Sequence, residues 1–177
     1  MPAEIEVKIL NIDVKDALTK LERIGAKRVA QKNYTRIIFS LPNSPVPFDK
    51  WIRLRTDGKK TTIAYKCIQS KAIDGIKELE ITVSDFEIAR KLLNSIGMEE
   101  RLLQKNKRIQ YQLGKTEFCI DFWPKLEPYL EIESDSKENL KKAVALLGFS
   151  MEHTTTLTTE QIYRQKGIDI NKIKRLV

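Results

Sequence analysis

Three Glu-x-Glu pairs and one Arg-x-Arg pair punctuate this 177-residue chain: Glu4 with Glu6, Glu78 with Glu80, Glu131 with Glu133, and Arg53 with Arg55. Lys8 extends the first pair at the same spacing, and Lys66, Arg108 and Asp121 fall at intervals between the others. A spacing of two places both members of a pair on one face of a β-strand. Taken singly, such a face is ordinarily a solvated one. If the strands close into a barrel, however, the charges line its inside, where an unpaired charge costs several kcal/mol. The seven acids outnumber the five bases Lys8, Arg53, Arg55, Lys66 and Arg108, so ion pairing alone leaves carboxylates over. A hard divalent cation such as Mg2+ or Mn2+ takes up that excess. A phosphate then satisfies the arginine forks and lysine point charges. The chemistry indicated is metal-assisted handling of a phosphoryl group, which needs neither a Ser-His-Asp nor a Cys-His arrangement.

The elements that must position these residues follow from periodicity. Glu4 to Leu10 alternates as a strand, and Val14, Leu18, Leu21 and Ile24 then recur at helical spacing between a cap at Asp13 and a stop at Gly25. The same grammar returns twice. Glu78 to Val83 leads through a capping box at Ser84 and Glu87 into a helix ending at Gly97, and Glu131 to Glu133 leads through Asp135 and Glu138 into one ending at Gly148. Between these units, residues 28–41, 51–55, 61–66, 101–113 and 116–122 read as strands, the second and third forming a hairpin across Asp57-Gly58. Residues 42–47 form a turn-rich loop. The apolar strand faces, including Ile5, Val7, Ile63, Tyr65, Leu79, Ile81 and Ile132, are expected to pack under the three helices or at a dimer interface. A short helix over 159–166 and a basic, frayed tail complete the chain.

Composition narrows the class. At 41% hydrophobic and 32% charged, with few Gly and Pro, the chain is neither disordered nor fibrous, and its length suits one domain burying roughly 70% of its unfolded surface. Cys67 and Cys119 make no CxxC, and with His153 alone beside them they exclude a Cys/His zinc set. No signal peptide or run of about 18 apolar residues is present, so a cytoplasmic protein with no membrane partner is expected. The net charge of +8 calls for an anionic partner without choosing it.

With these elements in order, the chain resembles the CYTH domains, the triphosphate tunnel metalloenzymes. Glu4-Ile-Glu-Val-Lys8 is similar to the family's E-x-E-x-K signature. Trp51 to Arg55 resembles its basic strand, Ala64 to Lys66 its lysine strand, Glu78 to Glu80 its central acidic pair, Arg108 to Tyr111 its arginine strand, Asp121 its aspartate and Tyr129 to Glu133 its closing pair. One position departs: Asn106 stands where the family commonly has a basic residue. The resemblance implies an α+β fold, a closed or nearly closed antiparallel β-barrel with flanking amphipathic helices. It places the tunnel elements over 4–150 and the C-terminal helix and tail over 158–177 of a single domain, 1–177.

It also implies roles. Glu4, Glu6, Glu78, Glu80, Asp121, Glu131 and Glu133 would hold Mg2+ or Mn2+; Lys8, Arg53, Arg55, Lys66 and Arg108 would bind a triphosphate, with Arg36 either a further contact or a solvated strand position. Glu4, Glu6, Lys8, Lys66 and Arg108 would carry catalysis. Water as nucleophile makes a triphosphatase acting on a nucleoside, thiamine or inorganic triphosphate, the leading reading. A ribose hydroxyl attacking the α-phosphate of ATP makes a class IV adenylyl cyclase, the alternative. A basic RNA-binding module is the reading from another class, and the Glu pairs on the strands, which repel phosphate, argue against nucleic acid. A homodimer is left open by the apolar strand faces. Trp51 and Trp123 read as core or tunnel-rim packing, Cys119 as a small buried thiol, and His153 as a surface or capping residue.

Overall fold

The structure, a computed structural model, describes residues 2–42 and 49–177. Most of the loop expected over 42–47 therefore lies outside the described residues. Alternating sequence becomes strand throughout: β1 (Ala3–Ile9), β2 (Lys27–Ser40), β3 (Lys50–Thr56), β4 (Thr61–Ile68), β5 (Ile76–Val83), β6 (Glu99–Leu113), β7 (Thr116–Phe122), β8 (Tyr129–Ser134) and β9 (Arg175–Leu176). The helices are α1 (Val14–Arg23), α2 (Phe86–Ser95), α3 (Lys137–Leu146) and α4 (Thr159–Gln165). The hydrogen-bonded order is β2-β3-β4-β5-β1-β8-β7-β6, and β2 pairs with β6 to complete the ring. The result is a closed eight-stranded antiparallel barrel in an α+β fold, as the resemblance implied.

The seam between β2 and β6 runs from Lys27 opposite Gln112 to Ser40 opposite Glu99. β1 and β5 meet in register only at Ala3 with Lys77 and Glu4 with Ile76. Beyond that point, backbone outside the named strands holds β1. The Glu6 amide donates to Ile73 O (2.9 Å), and Lys8 exchanges two 2.8 Å hydrogen bonds with Thr155. The acidic strand is thus fixed on both sides, and buried amides and carbonyls have partners.

Outside the barrel, α1 and α3 seal a core of Val7, Leu21, Phe118, Ile132, Leu140 and Val144, while α2 covers Ile37, Phe39 and Leu54. Asp13 caps α1 as expected, accepting from the Asp16 amide. The other two caps move by one residue from their expected places. Asp85, not Ser84, caps α2, and Ser136, not Asp135, caps α3; Asp135 instead accepts from the Asn139 side chain at 2.7 Å. Gly25, Gly97 and Gly148 follow their helices with φ of 79°, 87° and 79°, a conformation a Cβ would strain.

Of the two covers expected for the outer strand faces, the helices leave Leu79 and Ile81 52% and 62% exposed. One expectation fails. The tail is not frayed: β9 pairs in parallel with β6, Gln104 opposite Leu176, and Leu176 is buried with Trp123, Tyr163 and Ile170. Among the described residues no helix is long and apolar enough to cross a membrane.

Candidate active site: a charged tunnel through the barrel

Strand register determines which charges meet. Glu6 lies opposite Glu133 and Lys8 opposite Glu131 across β1 and β8. Lys66 lies opposite Glu78 across β4 and β5, and Arg108 opposite Asp121 across β6 and β7. These side chains share one parity, and all but Asp121 line a cavity of about 510 Å³. Its wall includes Glu4, Glu6, Lys8, Arg36, Arg53, Arg55, Lys66, Glu78, Glu80, Arg108, Glu131 and Glu133. Twelve of the thirteen residues expected in the site therefore reach one space. The exception is Asp121.

Asp121 was expected among the metal ligands. It is fully buried and off the cavity wall, its oxygens accepting from Arg108 Nε (2.8 Å), Arg108 Nη2 (2.5 Å) and Asn106 Nδ2 (3.0 Å). Its two carboxylate oxygens are spent holding Arg108, which also donates to Glu131 at 2.8 Å. Asn106 is likewise buried against Asp121 and does not line the cavity.

Acids and bases in the tunnel largely pair with one another. Lys66 donates to both oxygens of Glu4 (2.9 and 2.8 Å) and lies 3.1 Å from Glu78. Arg53 bridges Glu78 and Glu80 at 2.8 Å each, Arg55 meets Glu80 at 3.1 Å, and Lys8 sits 2.7 Å from Glu6 and 3.4 Å from Glu131. Burial opposes the charge on Lys8, but Glu6 and Glu131 outweigh it and hold the ammonium protonated. For Glu131 the neighbours Arg108 and Lys8 likewise overcome burial and keep the carboxylate ionised. Glu4 and Glu78 behave as a pair. Burial and the hydrogen bond between them raise Glu4, while that hydrogen bond, Arg53 and Lys66 hold Glu78 low despite burial.

Glu133 forms no ion pair among the described residues, and Lys66 acts on it more weakly than its acidic neighbours do. Burial first, and then Glu131, Glu6 and Glu117, push its carboxyl up to about 7. Glu117 was not foreseen as a site residue. It lies opposite Glu133 across β7 and β8 and lines the cavity, and it accepts from Gln110 and from the Cys119 thiol. The strand parity that Glu117 shares with Asp121 was the available signal, but Glu-x-Cys-x-Asp does not advertise an acidic pair. Cys119 is buried, as expected, and burial pushes its thiol up.

The donor set fits a hard divalent cation. Glu6, Glu133 and Glu117 come from three adjacent strands and offer only oxygen, and Glu133 carries charge repulsion that a cation would relieve. Among the described residues no three Asp, Glu, Cys or His side chains already converge on one point. The carboxylates now bound to Lys and Arg would have to be released first.

Beside this tunnel a second chamber of about 360 Å³ shares Glu4, Glu6, Ile68, Ile76 and Thr158 with it. Its remaining wall is formed by residues 70–73 and by Thr156, Leu157, Gln161, Arg164 and Gln165. Trp51 and Trp123 line the tunnel itself, in keeping with a rim or packing role. His153 is a capping residue, its Nδ1 accepting from the Ser150 amide at 3.1 Å.

The sequence matches the CYTH domain over residues 2–164. No curated protein matches it significantly. Among solved structures, the PH1012 protein from Pyrococcus horikoshii OT3 is 28% identical with a TM-score of 0.76, the alignment covering 88% of this chain and 96% of that one. An adenylate cyclase candidate from Vibrio parahaemolyticus is 15% identical with a TM-score of 0.76, over 92% and 98% of the two chains. An adenylyl cyclase candidate from Hippeastrum, described as having a dominant triphosphatase activity, is 14% identical with a TM-score of 0.62, over 95% and 97%.

Proposed function

The chain belongs to the CYTH domain family, and from that premise we propose that it is a divalent-metal-dependent phosphoryl-transfer enzyme that takes a triphosphate into its barrel. The leading activity is hydrolysis of a nucleoside, thiamine or inorganic triphosphate. One observation carries this reading: the tunnel holds its lysines and most of its arginines in ion pairs with Glu side chains that line the same cavity. An entering triphosphate takes Lys8, Arg53, Arg55, Lys66 and Arg108 away from their Glu partners. The freed carboxylates Glu4, Glu6, Glu78, Glu80 and Glu131, joined by Glu133 and Glu117, would then hold Mg2+ or Mn2+.

The metal would supply neutralisation of phosphate charge and polarisation of the attacking water. The remaining work falls to the protein. Asp121 and Glu131 fix the Arg108 guanidinium, so its fork meets phosphate without paying orientation entropy at that moment. Lys66 and Lys8 act as point charges on the phosphate oxygens. The barrel wall limits water to the lumen, where each charge interaction is stronger than in bulk. The dominant triphosphatase activity described for the Hippeastrum protein agrees with hydrolysis as the leading reading.

A second reading, cyclisation of ATP to cyclic AMP and pyrophosphate, is favoured by the side chamber, which could receive an organic group that an inorganic triphosphate lacks. Incubating the purified protein with Mg2+ or Mn2+ and a panel of triphosphates separates the two. Orthophosphate release, abolished by Glu6→Gln and Lys66→Ala, is the expected outcome. Cyclic AMP with pyrophosphate and no orthophosphate would establish the second reading, and full turnover in both variants would remove the tunnel as the active site.

A further inference from the structure

Arg36 stands apart from the ion-pair exchange in the tunnel. It lines the cavity from β2 and is only 7% exposed, yet it forms no ion pair among the described residues. Its Nε and Nη2 atoms are buried without a hydrogen-bond partner. Its register neighbours explain the isolation: Arg55 on one side and Gln104 on the other, with no carboxylate at either position. The guanidinium is held instead between two π faces, 4.7 Å from the Trp123 ring centroid and 5.2 Å from that of Tyr34. Burial, and then the nearby Arg108 and Arg53, bring its pKa down to about 9.

Cation–π contacts use the faces of a guanidinium and leave its edges. The Nε and Nη2 atoms form one such edge, a fork that matches two oxygens of a single phosphoryl group. The Trp123 indole Nε1 is also buried without an acceptor, so two adjoining side chains present three unsatisfied donors. Leaving them so in a finished core costs stability. Glu133 is one of the tunnel carboxylates that have no ion pair among the described residues. Arg36 is surrounded by Arg108, Arg53, Asp121 and Arg55, and Glu133 by Glu131, Glu6, Glu117 and Lys66. The two groups therefore occupy different electrostatic neighbourhoods of one cavity.

We propose that Arg36 and Trp123 form a clamp for the unsubstituted terminal phosphoryl group of a triphosphate, fixing which way round the substrate lies with its remainder running toward Glu6 and Glu133. The clamp rests on the triphosphate reading and adds a direction to it. Its ligand class is a phosphoryl oxyanion with three free oxygens at the chain end. A terminal phosphate esterified on one oxygen offers the fork a weaker partner.

The test reads binding rather than turnover. Trp51→Phe leaves Trp123 as the single indole, whose emission is titrated with tripolyphosphate in the presence of Mg2+ and, separately, with tripolyphosphate methylated at both ends. In that background a saturable emission change is expected with the free polyanion. Arg36→Met should weaken its binding about tenfold or more, Arg36→Lys should restore part of it, and the capped compound, which keeps two free oxygens but fewer charges at each end, should lose several-fold less between the parent and Arg36→Met. The melting temperature supplies the second arm. Because Arg36→Met removes an uncompensated buried charge, the ligand-free variant should melt at or above the parent, whereas a merely structural arginine would be missed. Unchanged tripolyphosphate affinity in Arg36→Met, or a lowered melting temperature with equal loss of free and capped ligand, overturns the clamp. If no triphosphate is turned over but Arg36-dependent binding persists, the proposed activity fails and the clamp stands.

Discussion

Glu133 shows what a single carboxylate contributes when its neighbours carry the same charge. Its pKa rises from 4.5 to about 7 in the folded protein. Between those values the folded state holds a proton that the unfolded chain lacks, so stability falls as pH rises through this window and the penalty is complete above it. In EDTA, Glu133→Gln should therefore stabilise the protein at pH 8 by on the order of 2 kcal/mol, and leave it unchanged at pH 4. Urea titrations at the two pH values measure this, and an equal effect at both would place the origin of the strain elsewhere. At this scale the sequence was legible wherever chemistry repeats. The Glu-x-Glu and Arg-x-Arg pairs declare their face by period, and their side chains do line one cavity. Glu117 was missed because its i+2 neighbour is Cys119 rather than a second acid. The difference between Asp121, spent on Arg108, and the cavity-facing Glu131 depends on side-chain length and cross-strand partners, which parity alone does not encode.

At the scale of elements, turns set the register that brings those residues together. In the β3–β4 turn, Asp57 accepts from the amides of Lys59 (2.9 Å) and Lys60 (2.8 Å) and lies 3.1 Å from Lys32 on β2. The Lys60 amide is the main cause of a carboxyl pKa lowered to about 2. A depressed carboxylate stabilises the fold above its ordinary pKa of 3.8 and loses that contribution as pH falls toward 2. Asp57→Asn should cost roughly 1 to 2 kcal/mol at pH 7 after solvent screening, with a cost that shrinks as thermal melts are taken from pH 5 to pH 2. A constant deficit would argue for turn geometry instead. Strands, helices and glycine stops were readable because each has its own period or stop residue. The α2 and α3 caps slipped by one residue, since Ser84-Asp85 and Asp135-Ser136 each offer two capping side chains in succession. β9 went unseen because two residues are too few to show alternation, and its docking depends on partners more than 60 positions earlier.

For the whole molecule, closure decides the architecture: β2 and β6 must meet to leave the eight-stranded ring without a free edge. The C-terminal segment then builds one wall of the tunnel, with Thr158, Thr159, Glu160, Ile170 and Asn171 all facing it. Leu176 is 2% exposed and anchors that wall to Trp123. Leu176→Ala should cost about 2 to 4 kcal/mol and shift Trp123 emission toward that of a hydrated indole; an unshifted spectrum would show that the wall holds without it. Acids slightly outnumber bases in the tunnel lining while the chain as a whole carries +8, so the surplus positive charge lies on the exterior. It can draw polyanions toward the molecule but does not neutralise the site.

The order of synthesis gives the charged face of β1 a second consequence. This strand precedes its partner β8 by roughly 120 residues, on the order of 6 to 24 s at ribosomal elongation rates, and through that interval its long edge has no mate. A nascent apolar strand in that position would invite pairing with neighbouring polypeptides, whereas one studded with Glu4, Glu6 and Lys8 repels its own copies. The residues that later line the tunnel would thus first act as gatekeepers, keeping an unfinished barrel from aggregating.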